Sequence, residues 1–122
     1  MGGLVSIYLG LRYPNVFSRV AVVSPSVWWA DHHIVKDVEA DKQRPSLRIW
    51  LDIGTKEGGS APEALRTVAG ARLLKETLIK KSWRLGKDLK YFEAEGAEHN
   101  ERAWAARVAQ ILEFLFPEKN VR

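Results

Sequence analysis

An α/β fold with a parallel sheet of about three strands and three main helices is predicted by two features of this 122-residue sequence. The first is a set of three short strand-like runs, at residues 20–23, 47–53 and 89–95, rich in β-branched and aromatic residues. The second is their alternation with stretches of helical period, at residues 3–13, from residue 60 onward and at 100–116. Strands separated by helices of this length cannot pair as hairpins. They require crossover connections, which are right-handed and make the strands parallel.

Taken in order, Leu4, Ile7, Tyr8 and Leu11 fall at i, i+3, i+4 and i+7, one apolar helical stripe that Pro14 ends. Gly2 and Gly3 stand at its start, as a tight turn feeding a helix would require. The run Val20-Ala21-Val22-Val23, closed by Ser24-Pro25-Ser26, has the continuous apolar character of a strand covered on both faces. Residues 27–46, with Trp28, Trp29, Asp31, His32, His33 and Pro45, read as an irregular crossover with at most a short helix. The central strand follows. Leu47, Ile49, Leu51 and Ile53 alternate with Arg48, Trp50 and Asp52, and the chain then enters a loop carrying Gly54, Lys56, Glu57, Gly58 and Gly59. Ser60 with Glu63 three residues later resembles a capping box, and Pro62 is tolerated in a first turn. A long helix to about residue 85 is expected from there, with Gly86 in its left-handed C-terminal position. After the strand at 89–95 and a loop at 96–99, Trp104, Val108, Ile111, Leu112 and Leu115 recur at helical spacing before Pro117.

Composition narrows the chemistry. At 46% hydrophobic and 28% charged residues the chain is ordinary globular material for one domain or part of one. It has no cysteine, which removes disulfides and thiolate catalysis. No apolar run is long enough to span a bilayer, and no membrane partner is expected. The formal charge of +4 could suit an anionic partner, but Arg72, Lys75, Lys80, Lys81, Arg84 and Lys87 lie on several sides of one helical stretch, with Glu76 and Asp88 nearby. That is a solvated face, and no nucleic-acid partner is expected. Asp31, His32 and His33 suggest a metal, yet adjacent histidines on an extended segment point to opposite sides and no further ligand set accompanies them. No metal and no cofactor are expected.

Parallel strands bring the loops at their C-terminal ends to one edge of the sheet. Those loops are residues 24–29, 54–60 and 96–100, the second carrying an acid and the third His99. Acid followed by histidine is the chain order in which α/β-hydrolases place the partners of their serine. The histidine is the general base for the hydroxyl, and the acid holds its other nitrogen.

The segments Met1 to Pro14, Val23-Ser-Pro-Ser-Val-Trp-Trp29, Asp52-Ile-Gly-Thr-Lys-Glu57 and Glu95-Gly-Ala-Glu-His99 together resemble the C-terminal half of the esterases related to esterase D and enterochelin esterase. The resemblance covers essentially the whole chain and implies the C-terminal part of an α/β-hydrolase fold acting on a small-molecule ester. In that family the nucleophile elbow reads Gly-x-Ser-x-Gly-Gly, so Met1-Gly2-Gly3 match its last three positions. The serine itself is then expected immediately before Met1, with the oxyanion loop and first strands further upstream. Position by position, Glu57 matches the triad acid, His99 the triad base, and the backbone N–H of Met1 the oxyanion donor that follows the nucleophile. Trp28 and Trp29 match pocket aromatics of the siderophore-ester branch, with one of the two as simple core the competing reading. Asp52 is the rival acid, read as organising its own loop through backbone amides. None of Ser6, Ser24, Ser26 or Ser60 has the glycine-flanked strained turn of a nucleophile.

A second class of function is a non-catalytic α/β module that persists by self-association. In the family's sheet the strand at residues 20–23 has a neighbour on each side; in this chain by itself one is expected to be missing, and the strand carries no charge, proline or bulge to protect it. A homodimer or higher oligomer is therefore expected, joined through that edge or through the apolar face of the first helix.

Overall fold

A computed structural model describes residues 1–42 and 44–119. The chain folds as α1 (Gly2–Arg12), β1 (Arg19–Val23), α2 (Trp29–Ala40), β2 (Arg48–Gly54), α3 (Ala61–Lys80), β3 (Leu89–Ala94), α4 (Glu101–Ala105) and α5 (Val108–Leu115). The three strands form one sheet in the order β1-β2-β3, all parallel, with Val22 opposite Leu51 and Leu51 opposite Tyr91. Besides the main helices expected there are α2, in the crossover, and the separate short α4.

Strand β2 is the centre of the sheet and is buried along almost its whole length, because both faces are covered. On one face Ile49 and Leu51 join Val20, Val22 and Leu89 in a core closed by Leu4 and Ile7 of α1, Ile34, Val35 and Val38 of α2, and Leu74 and Leu78 of α3. On the other face Trp50 packs with Ile111 and Leu115 of α5, flanked by Phe92 and Phe114. Period-2 alternation thus assigns odd residues of β2 to one layer and even residues to the other. Asp52 falls on the α5 side, within reach of Arg107.

Three local expectations are corrected. Within residues 27–46 the span α2 is kinked, and its right-handed helix lies after His32, where Ile34, Val35 and Val38 supply a buried stripe; this is more regular than the crossover expected, though short. Its opening turn is left-handed at Ala30, Asp31 and His32, with φ of 50°, 55° and 59°. Helix α3 stops at Lys80, not near 85. Trp83 is drawn into the core with its indole N–H donating to the Leu47 carbonyl, so the helix closes by Trp83 N–H to Leu78 O with Ser82 left-handed at φ 78°. Gly86 sits in the turn before β3 instead. The last helix is broken at Ala106 and Arg107, and of its expected stripe Ile111 and Leu115 are buried while Val108 and Leu112 are exposed.

The cation-rich stretch carries a surface ion pair. Arg72 of α3 forks onto Glu93 of β3 with two bonds of 2.7 Å, and the Tyr91 hydroxyl also donates to Glu93. No helix among the described residues is long and apolar enough to cross a membrane.

Candidate active site

The C-terminal ends of the three strands converge on a cleft of about 580 Å³, lined by Ser24, Ser26 and Trp28 after β1, Lys56, Glu57 and Gly58 after β2, and Glu98, His99 and Asn100 after β3. Loops are anchored there by backbone. Thr55 N–H donates to Ala94 O, Lys56 N–H to Ala97 O, and Gly96 N–H to the Thr55 hydroxyl, so the β2 and β3 loops are tied side by side. Gly54 is required at this seam, since a Cβ there would collide with the Ala97 carbonyl and stand 2.9 Å from Glu57 Oε1. The Asn100 side chain caps α4 by accepting the Ala103 N–H at 2.9 Å, which sets the helix directly after His99.

Glu57 and His99 are brought together. Glu57 is only 3% exposed, and its Oε2 lies 3.0 Å from His99 Nδ1. Its other oxygen, Oε1, accepts the Gly54 N–H at 2.8 Å and the Ser24 hydroxyl. The His99 side chain is 49% exposed, and its ring meets the Trp104 ring edge to face at 4.9 Å between centroids. Nδ1 thus lies against the acid, no bond to Nε2 occurs among the described residues, and the residue lines the cleft. With Oε1 taken by two donors, Oε2 is the oxygen that Glu57 presents to the imidazole.

Asp52 is not an organiser of its own loop. It is fully buried and accepts four bonds: from Ser24 N–H and Arg107 Nη2 on Oδ1, at 3.0 and 3.1 Å, and from Trp50 Nε1 and Arg107 Nε on Oδ2, at 2.8 and 2.9 Å. With both oxygens saturated, no lone pair remains for an imidazole. Arg107, 3% exposed, is the residue of this network that sequence reasoning passed over. Its signal was its place on the helical stripe, three residues after Trp104 and four before Ile111, where a cation needs a buried partner.

The remaining candidates separate. Met1 stands at the N-terminus of α1, which reaches the same sheet edge because Gly3 lies against the Val23 carbonyl, where any Cβ would collide. Met1 itself lines a neighbouring apolar groove with Leu4, Val5, Tyr8 and Trp29 rather than the cleft. Trp28 lines the cleft and Trp29 the groove; both are exposed, so neither is core. His33 Nε2 pairs with Asp37 at 3.3 Å on the surface of α2, and no cluster of three metal-ligating side chains occurs among the described residues.

A parallel sheet with an acid after its central strand, a histidine after the next and helices on both faces is the C-terminal portion of an α/β-hydrolase fold. The sequence matches the family described as "Putative esterase" over residues 1–115, and the chain belongs to that family. It is similar to the uncharacterized protein YbbA of Bacillus subtilis, 22% identical over 117 residues, 95% of this chain and 46% of that protein. YjcH of the same organism is 37% identical over 57 residues, which are 47% of this chain and 22% of YjcH. The chain thus spans less than half the length of these relatives.

Among solved structures, the fold is shared with the enterobactin esterase FES from Shigella flexneri, at TM-score 0.68 and 23% identity, covering 93% of this chain and 28% of that one. It is shared with the BES protein from Bacillus cereus at TM-score 0.64 and 22% identity, covering 93% and 41%. It is also shared with the siderophore hydrolase EstB from Aspergillus nidulans at TM-score 0.60 and 15% identity, covering 98% and 48%.

Proposed function

We propose that this chain is the acid-and-base portion of a carboxylic ester hydrolase, with Glu57 and His99 completing a triad whose serine immediately precedes Met1. The observation that carries the reading is the pairing of a buried, donor-saturated Glu57 with a half-exposed His99 at the mouth of the cleft. Structural ion pairs of this kind are common, but they do not usually line a cavity of ligand size with the second imidazole nitrogen unbonded.

In the proposed cycle His99 Nε2 takes the proton of the serine hydroxyl as it attacks the ester carbonyl. The oxyanion is stabilised by the backbone N–H of Met1, at the positive end of α1. His99 then delivers the proton to the departing alcohol, and in the second half it deprotonates the water that hydrolyses the acyl-enzyme. Glu57 keeps Nδ1 protonated and stabilises the imidazolium throughout. The names of FES and EstB suggest siderophore esters as the substrate class to test first. Trp28, exposed beside the cleft, would offer a flat apolar face to an aromatic group.

The test is ester hydrolysis by the full-length protein. His99→Ala should lower kcat/KM by about three orders of magnitude or more, and Glu57→Gln by less, at unchanged melting temperature. Retention of activity within about tenfold in His99→Ala would refute the triad. The second reading, a self-associating non-catalytic module, is favoured by one feature, the exposed Val108, Leu112 and Phe116 beside edge strand β1.

A further inference from the structure

We infer that Ser24 is a positioning residue for the Glu57–His99 pair, with its hydroxyl proton aimed at Glu57 by Arg107 and Trp104; the inference rests on the triad reading above. Ser24 is 3% exposed and sits between the two carboxylates of the site. Its hydroxyl oxygen receives Arg107 Nη2 at 3.1 Å and Trp104 Nε1 at 3.2 Å. A guanidinium and an indole N–H can only donate, so both lone pairs of the hydroxyl are taken and its single proton must leave in a third direction. The remaining partner is Glu57 Oε1. Arg107 is itself locked in place by its fork onto Asp52, so the direction of the Ser24 proton is set by an ion pair that makes no described contact with His99.

The consequence falls on Glu57. With the Ser24 hydroxyl and the Gly54 N–H both on Oε1, the carboxylate cannot rotate without stranding two buried donors, and Oε2 is presented to His99 Nδ1. The arrangement explains why a buried serine, at φ 45° where a side chain is unfavourable, occupies this position. Glycine would suit that backbone better, yet it would supply no proton to Glu57. Ser24 is also disqualified as a nucleophile, since its proton goes to the acid and no described contact joins it to His99.

The two effects of a substitution here run in opposite directions, which makes a test. In the full-length protein with 15N-labelled histidine, assigned by a His99→Gln control, wild-type His99 should show a protonated Nδ1 and a bare Nε2. Ser24→Gly, which relieves the backbone, should move His99 toward the Nε2–H form and lower kcat by about ten- to a hundredfold with KM nearly unchanged. Ser24→Thr, strained at this φ but retaining the hydroxyl, should melt earlier yet keep the wild-type tautomer and most of kcat. If Ser24→Gly does not fold, the near-isosteric Ser24→Cys carries the same tautomer readout with a weaker donor. An unchanged tautomer and kcat in a folded Ser24→Gly, or in Ser24→Cys where that variant stands in, overturns the positioning role while leaving the triad intact. So does catalysis that tracks stability across the series. An Nε2–H tautomer already in the wild type overturns the triad reading and this inference with it.

Discussion

Removing Arg107 should destabilise this protein more than any surface ion pair could, and the reason is Asp52. Arg107→Ala leaves a carboxylate with no solvent exposure facing only Trp50 Nε1 and Ser24 N–H, after losing both guanidinium bonds. Breaking a buried pair by deleting one partner costs about 3–5 kcal/mol, because the remaining charge keeps its desolvation penalty without the attraction that offset it. For 122 residues the unfolding entropy is about 0.26 kcal/mol/K, so the melting temperature should fall by roughly 12–19 °C. The control is Arg72→Ala. Arg72 grips Glu93 through two bonds of 2.7 Å, shorter than either Arg107 contact, and chiefly those bonds pull the Glu93 carboxyl down from 4.5 to about 2. Distance alone would therefore rank the Arg72 pair first. Burial reverses the ranking, since the Arg72 side chain is 59% exposed and water screens the pair and solvates whatever is left behind. Arg72→Ala should shift the melt by no more than replicate scatter near neutral pH. What Glu93 does contribute is present above its unfolded value near 4.5 and is lost as pH falls through about 2, the direction required of a depressed carboxyl. Reversible thermal melts followed by circular dichroism measure all of this. A shift under about 4 °C for Arg107→Ala, or equal shifts for the two variants, would refute the argument from burial.

Two further outcomes are expected of the 122-residue chain by itself. A fluorophosphonate probe should not label it above a heat-denatured control, because Ser24 is buried with its hydroxyl donating to Glu57 and Ser60 caps α3; stoichiometric labelling at any serine would contradict this. Light scattering should find a homodimer or larger assembly. Strand β1 pairs only with β2 among the described residues, and exposed Val5 and Tyr8 of α1 and Val108, Leu112 and Phe116 of the α5 end flank that edge. A monomer at micromolar concentration would show that the edge tolerates water.

Periodicity was enough for the sheet. Three apolar runs separated by helical stretches determined the parallel order, because burying one stripe per helix and two faces per strand leaves few other solutions. The same alternation put Asp52 and Trp50 together on one face of β2 and carried Glu57 and His99 to one edge. Helix ends were less legible. Whether α3 stops at Lys80 or near 85 depends on where Trp83 finds its core position, and α2 depends on a stripe of only three residues, Ile34, Val35 and Val38. The polar network under the cleft was decided by tertiary structure alone. Ser24 meets Glu57 across 33 residues of sequence, and Arg107 meets Asp52 across 55. No local pattern encodes such a pair: an arginine on a helix or a serine beside a proline has the same neighbours in sequence whether it faces water or a buried acid. Only packing that removes the water from Asp52 makes Arg107 obligatory, and only the two donors converging on Ser24 give its hydroxyl a single direction to point.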